Sequence, residues 1–430
     1  MSPLKRIKRI IQVVTFGLVL FPFLSLLYGD IGVDPVHDAD YLIITHQQLY
    51  EEQGWAQDLT DLLTAREHKV GFWVIGDGVH PDSIRSYVLD AYYTDTSLEY
   101  ILIVGNGSNL PVDTTWWYGE PNWYSDAATD NFVPFQYEWE QGWKLIYQWH
   151  ATDDYFIRRD YWRLDTFYLD DRGEMSIGRI PAEHVQSIDN WLEKLETYYA
   201  SLTEYAPWKN RLLLLNHNND HDGSGGPGFI PNTMTNQIEE KMGNQPYEEI
   251  RLNSADIDTV NKHYYSPART QAFVQNMNQG VSVVNAYGTS AMIHNLVGFY
   301  TDSSYIQING NEILENQGMY PVLFGLSCHI GQVHYPYWPD NSKNYINIMQ
   351  RMLLQPQAGI VAAFAPTKDT DQHADMEVGR YLYKNIFQSD KRELGPLTVQ
   401  TQKDYMEAVI RFTKWMKYSL TYFGDPAMPL

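Results

Sequence analysis

The only cysteine in the 430-residue chain, Cys328, closes a short apolar run in the stretch VLFGLSCHIG, Val322–Gly331. A thiol at the end of a buried strand can act as a nucleophile once a base takes its proton, or it can serve as a small core residue. One cysteine permits no internal disulfide, so the choice lies between those two roles. A second group with chemical potential is the loop NHNNDHDGSGGPG, in which Asp220 and Asp222 occupy alternate positions ahead of a glycine. That is how a calcium loop begins, yet the downstream bidentate acid of an EF-hand is absent. A polar glycine turn and a structural calcium ion are the two readings, and no other cofactor is required. Asp153 and Asp154 in ATDDYF, with Asp165, Asp170 and Asp171 beyond them, read as solvated loop carboxylates, the alternative being a pocket for a basic side chain.

These groups need a scaffold, and the pattern supplies one from Asp40 onward. YLIIT (Tyr41–Thr45), VGFWVI (Val70–Ile75) and YILIVG (Tyr100–Gly105) have the continuous apolar character of strands buried on both faces. Between them, Trp55, Leu59, Leu62 and Leu63 recur at helical spacing, and a second helix is predicted from about Pro81 to Tyr93 with Asp82 in its first turn. Alternating strands and helices predict a mainly parallel, doubly wound α/β fold with helices on both faces of the sheet. EMSIGRIPA (Glu174–Ala182) leads into a long amphipathic helix ending at Tyr199, and RLLLLN (Arg211–Asn216) starts a second run of strands. The organisation expected is therefore a terminal segment 1–29, an N-terminal α/β subdomain 30–204 with an aromatic-rich insertion at about 106–165, and a C-terminal subdomain 205–430. VSVVNAYGTS (Val281–Ser290), the cysteine strand and GIVAAFAP (Gly359–Pro366) belong to the latter. Ligands of such folds bind beyond the carboxyl ends of the strands, so Thr289 and Cys328 come to one edge if their strands are neighbours.

Composition limits the partners. With 44% hydrophobic and 20% charged residues the chain suits a packed globular protein. Lys5, Arg6, Lys8 and Arg9 precede an acid-free apolar run from Ile10 to Tyr28, which reads as an export signal or an uncleaved membrane anchor. Either places the remainder outside the cytoplasm, in an extracellular, periplasmic or membrane-anchored position. The net charge is −22, and removing this segment, with its four cations and no acids, takes it to −26. Such a surface repels nucleic acid and anionic lipid.

Taken in order, YLIIT, ILIVGN, SIGRIPA with its helix, VSVVNAYG, VLFGLSCHIG, AGIVAAFAP and LTYFGDPAMPL resemble the gingipain family of cysteine peptidases, within the caspase-like group. The resemblance spans roughly Tyr41–Leu430. It implies a caspase-like α/β fold of two subdomains, the second carrying the active site, and a peptide or protein substrate. The family nucleophile falls on Cys328. Its histidine, the centre of a Gly-His-Gly turn, falls on Thr289, and its oxyanion-binding glycine amide on Ser290, beside the amide of Cys328.

A threonine hydroxyl cannot take the proton of a thiol and return it to a leaving amine. A displaced histidine would have to do so, and His294, five residues on in TSAMIHNL, is the first candidate, ahead of His334 and His329. The alternative is a catalytically inactive relative that binds peptide or a surface partner through the same cleft.

Overall fold

The computed structural model describes residues 38–51, 54–94, 97–106, 136–141, 147–157, 175–216, 233–243, 246–253, 267–287, 298–301, 304–307, 314–328, 330–333, 348–367, 370, 372–408 and 420–430. The first strand, β1 (Tyr41–His46), lies at the centre of a parallel sheet with β2 (Val70–Ile75), β3 (Tyr100–Val104) and β6 (Ser176–Ile180), in the order β2-β1-β3-β6. Its apolar run is fully buried because each face meets a helical layer. Tyr41, Ile43, Leu102 and Val104 pack with Trp55, Leu59 and Leu63 of α2 (Trp55–Thr64), which follows the short α1 (Gln47–Glu51), and with Trp191 and Leu195 of α4 (Val185–Ser201). Leu42, Ile44, Ile101 and Ile103 face the other way, onto Ile84 and Val88 of α3 (Pro81–Thr94) and onto Phe156 and Ile157. Strands β4 (Gln136–Gln141) and β5 (Tyr147–Thr152) form an antiparallel pair within the aromatic-rich insertion. Trp116, Trp117 and segment 1–29 lie outside the described residues, and among the described residues no helix is long and apolar enough to cross a membrane.

The second sheet has six strands in the order β14-β13-β12-β9-β7-β8. Strands β7 (Arg211–Asn216), β8 (Glu248–Asn253), β9 (Val283–Tyr287), β12 (Val322–Leu326) and β13 (Ala362–Pro366) are parallel, and the edge strand β14 (Leu420–Phe423) runs antiparallel to β13. A small antiparallel pair, β10 (Gly298–Thr301) and β11 (Ser304–Gln307), stands apart from it. The helices of this half are α5 (Thr233–Met242), α6 (Pro267–Asn278), α7 (Ile348–Leu354), α8 (Gln372–Gln388) and α9 (Leu394–Ala408). This is the caspase-like α/β class expected, with its mainly parallel sheets between helices.

The two sheets meet where β6 passes the end of β14. The Gly424 N–H donates to the Arg179 carbonyl at 3.1 Å. A Cβ on Gly178 would stand 2.2 Å from the Gly424 oxygen, so only glycine allows this approach. Gly424 itself has φ 142°, a region natural to glycine alone. Asp425 then locks the seam. Its carboxylate accepts hydrogen bonds from Tyr41 Oη at 2.8 Å, from Tyr199 Oη and from the Ala427 N–H at 2.9 Å, while Tyr422 Oη donates to its main-chain oxygen at 2.9 Å. Asp425 is fully buried. Asp425→Asn keeps one acceptor and turns the other into a donor facing a tyrosine hydroxyl, so we expect a loss of about 2 kcal/mol in urea unfolding.

Candidate functional site

The peptide VLFGL forms β12 because both faces are buried against neighbouring strands and helices. It is a central strand, paired in parallel with β9 on one side and β13 on the other, with Leu326 opposite Tyr287 and Phe324 opposite Asn285. Beyond Leu326 the chain turns sharply. Ile330 folds back over Gly325, where a Cβ would lie 2.6 Å from Ile330 Cγ2, and the Gly331 N–H donates to the Pro366 carbonyl at 2.8 Å. The turn is thereby held against the ends of β12 and β13, and Cys328 sits within it. Ser327 is buried, whereas Cys328 is half-buried.

The Cys328 sulfur meets Thr370, in the β13–α8 connection. The Thr370 N–H donates to Sγ at 3.2 Å, the thiol is 3.5 Å from the Thr370 carbonyl oxygen, and Thr370 Oγ1 also lies at 3.5 Å. That hydroxyl donates in turn to Asp375 Oδ2 at 2.7 Å. Asp375 stands in the first turn of α8 and is 1% exposed. Neither Thr370 nor Asp375 is signalled by the sequence, since a threonine and an acid at the start of a helix read as ordinary capping residues.

Strands β9 and β12 are indeed neighbours, so the chain leaving β9 and the chain leaving β12 do so at the same edge of the sheet. Thr289, Ser290, His294, His329 and His334 lie outside the described residues, as do Asp220 and Asp222. Among the described residues, no group of three or more His, Cys, Asp or Glu side chains could hold a metal ion.

Asp153 departs from the solvated role expected of it. It is 1% exposed and receives Arg179 in a two-pronged pair, Nε to Oδ2 at 2.7 Å and Nη2 to Oδ1 at 2.5 Å, while Nη1 donates to the Gly105 carbonyl at 3.0 Å. Burial pushes the Asp153 carboxyl up from its ordinary value, and the Arg179 guanidinium opposes that rise. The arginine of the SIGRIPA strand therefore anchors Asp153, within the insertion, to the end of β3. Asp154 is also buried and, with Thr398, Gln402 and Thr421, lines a small, partly open cavity at the seam between the sheets.

The family model for peptidase family C25 matches residues 34–430. In fold, the chain is similar to the crystal structure of the Arg-specific cysteine proteinase gingipain R (RgpB), with a TM-score of 0.63, 16% identity, and coverage of 94% of this chain and 80% of that one. The complex of Porphyromonas gingivalis RgpB pro- and mature domains gives 0.63 and 15%, covering 91% and 79% of the two chains. A further structure, described only as a protease, gives 0.58 and 14%, covering 94% and 81%. No curated protein sequence matches the chain. Two sheets joined at a glycine seam, a lone cysteine closing a central strand, and a family match over nearly the whole sequence agree: the chain belongs to peptidase family C25, the gingipain family of cysteine peptidases.

Proposed function

We propose that Cys328 is the nucleophile of a peptide-hydrolysing site in an exported protein, with His294 serving as the base. The observation that supports this is the seat of the sulfur: half-buried, in a rigid turn at the carboxyl end of a central strand, with the Thr370 N–H directed at it. An N–H donor favours the thiolate, and the edge of a parallel sheet is where such folds carry out chemistry. In the reaction, His294 takes the thiol proton and the thiolate adds to the peptide carbonyl carbon. The amides of Cys328 and Ser290 hold the oxyanion, the imidazolium protonates the leaving amine, and water then hydrolyses the thioester. The substrate is a peptide or protein. Calcium at Asp220 and Asp222 would be a structural ion with no part in these steps.

The threonine at position 289 favours a second reading, in which the domain is inactive and the same edge binds peptide or a surface partner. An electrophilic peptide probe separates the two. Wild-type protein is expected to be labelled and Cys328→Ala to be inert, with His294→Ala slower by about 10²–10⁴-fold. Labelling that does not depend on Cys328, or that persists at full rate without His294, rejects the dyad.

A further inference from the structure

Thr370 meets the Cys328 sulfur with its N–H, its carbonyl oxygen and its hydroxyl, and the hydroxyl is tied to a buried carboxylate. Because Oγ1 spends its only proton on Asp375 Oδ2, what it offers the sulfur is a lone pair. The thiol proton thus finds acceptors on Thr370 at both Oγ1 and the carbonyl, each 3.5 Å away. We infer that Thr370 is a positioning residue for Cys328: Asp375 pins its hydroxyl as an acceptor of the thiol proton, and this sets the pH at which the nucleophile ionises. The inference rests on the reading of Cys328 as the nucleophile.

The direction of the effect follows from the donors and acceptors. An acceptor beside a thiol stabilises the protonated form, whereas a hydroxyl turned to donate would stabilise the thiolate. Asp375 decides which of the two the hydroxyl does. The other titratable or charged residues on the elements packed around the turn are Tyr287 at the end of β9 and His373, Glu377, Arg380, Tyr381, Tyr383 and Lys384 on α8, with none on β13; the side chain of His373 lies outside the described residues. Glu377 pairs with Arg380 at 2.6 Å, Tyr383 donates to Asn285 Oδ1 at 3.0 Å, and Lys384 pairs with Asp404 at 3.4 Å. The Asp375 carboxylate reaches the sulfur through two successive contacts, by way of Thr370 Oγ1.

Alkylation by iodoacetamide, followed by intact mass as a function of pH, reads the ionisation of Cys328 without ambiguity because the chain has no other cysteine. Asp375→Asn can donate to Thr370 Oγ1 and release its hydroxyl towards sulfur. The midpoint should fall by about one pH unit, which is tenfold more thiolate at a fixed pH below it. Thr370→Val, which removes the acceptor and keeps the shape, should also lower the midpoint, and Thr370→Ser should restore the wild-type value. In a Thr370→Val background the Asp375→Asn shift should shrink to less than half, since the hydroxyl carries the coupling.

Equal Asp375→Asn shifts in both backgrounds would reduce Asp375 to a through-space charge and overturn the inference. So would a Thr370→Val midpoint equal to wild type, which settles the matter even if Asp375→Asn does not fold. Alkylation needs no peptidase machinery, so the two readings fail separately. A shifted midpoint in a protein that ignores the peptide probe counts against the peptidase alone, and an unmoved midpoint in one that reacts with it counts against Thr370 alone.

Discussion

A His294→Ala, Thr289→His double variant is expected to recover most of the peptide-probe reactivity that His294→Ala removes, a swing of about 10²–10⁴-fold. Position 289 follows the last residue of β9 by two, as Cys328 follows the last residue of β12 by two, and those last residues, Tyr287 and Leu326, are register partners. The histidine of related peptidases occupies the position of Thr289 in the sequence resemblance, so the substitution returns an imidazole to the place from which the family draws its base. Near neutrality an unassisted thiol of pKa about 8.5 is only a few per cent ionised, and its leaving amine has no proton donor. Both deficits are what an imidazole corrects.

The outcome also discriminates between the two functional readings. If wild-type protein is inert and Thr289→His alone brings Cys328-dependent labelling, the scaffold is intact and only the base was lost. Continued silence in both histidine variants, with Cys328 still open to iodoacetamide, would mean that the site is changed beyond position 289 and would favour the binding role.

The strands buried on both faces were legible in the sequence. YLIIT, VGFWVI and RLLLLN stand as strands within one residue of where their apolar runs place them. The helix expected at Pro81–Tyr93 ends one residue later, at Thr94. Local pattern reports which faces are apolar, and that sufficed for the mainly parallel character of the sheets and for placing Cys328 at a strand end, though not for the order of the strands. It does not report which group arrives from far along the chain. Asp153 looked like a solvated acid because nothing near it in sequence is its partner, and Arg179 comes from 26 residues away. Thr370 reaches Cys328 across 42 residues, and its role depends on a turn geometry that no spacing encodes. The antiparallel edge strand β14 was missed for a different reason, since four residues are too few to show a period.

Lys194→Met is expected to cost about 3–5 kcal/mol of folding stability, read as a fall in the urea midpoint. In a helix rich in charged residues this lysine looks like one more solvated cation, yet it is fully buried. Its Nζ lies 3.0 Å from Met352 O, 2.7 Å from Leu353 O, 3.1 Å from Ala358 O and 3.0 Å from Ile360 O. Two of those carbonyls belong to the last turn of α7, where helix geometry leaves oxygens without intrahelical partners. Burial pushes the Lys194 pKa down from the ordinary lysine value. Four acceptors and a helix C-terminus pull the other way, because three N–H groups serve them better than two. Methionine keeps the volume of the stem and removes the head, which leaves Leu353, Ala358 and Ile360 oxygens without this donor, while Met352 O still accepts from the Ile360 N–H at 3.1 Å. Each buried acceptor so stranded costs roughly 1–3 kcal/mol. Lys194→Arg should not rescue, since a planar fork cannot gather four oxygens around one point. The lysine ties α4 of the first sheet to the segment that enters β13, and β13 leads to Thr370. A loss at Lys194 should therefore also loosen the contact that holds the Cys328 sulfur, seen as faster alkylation of Cys328 in Lys194→Met at urea concentrations below its unfolding transition.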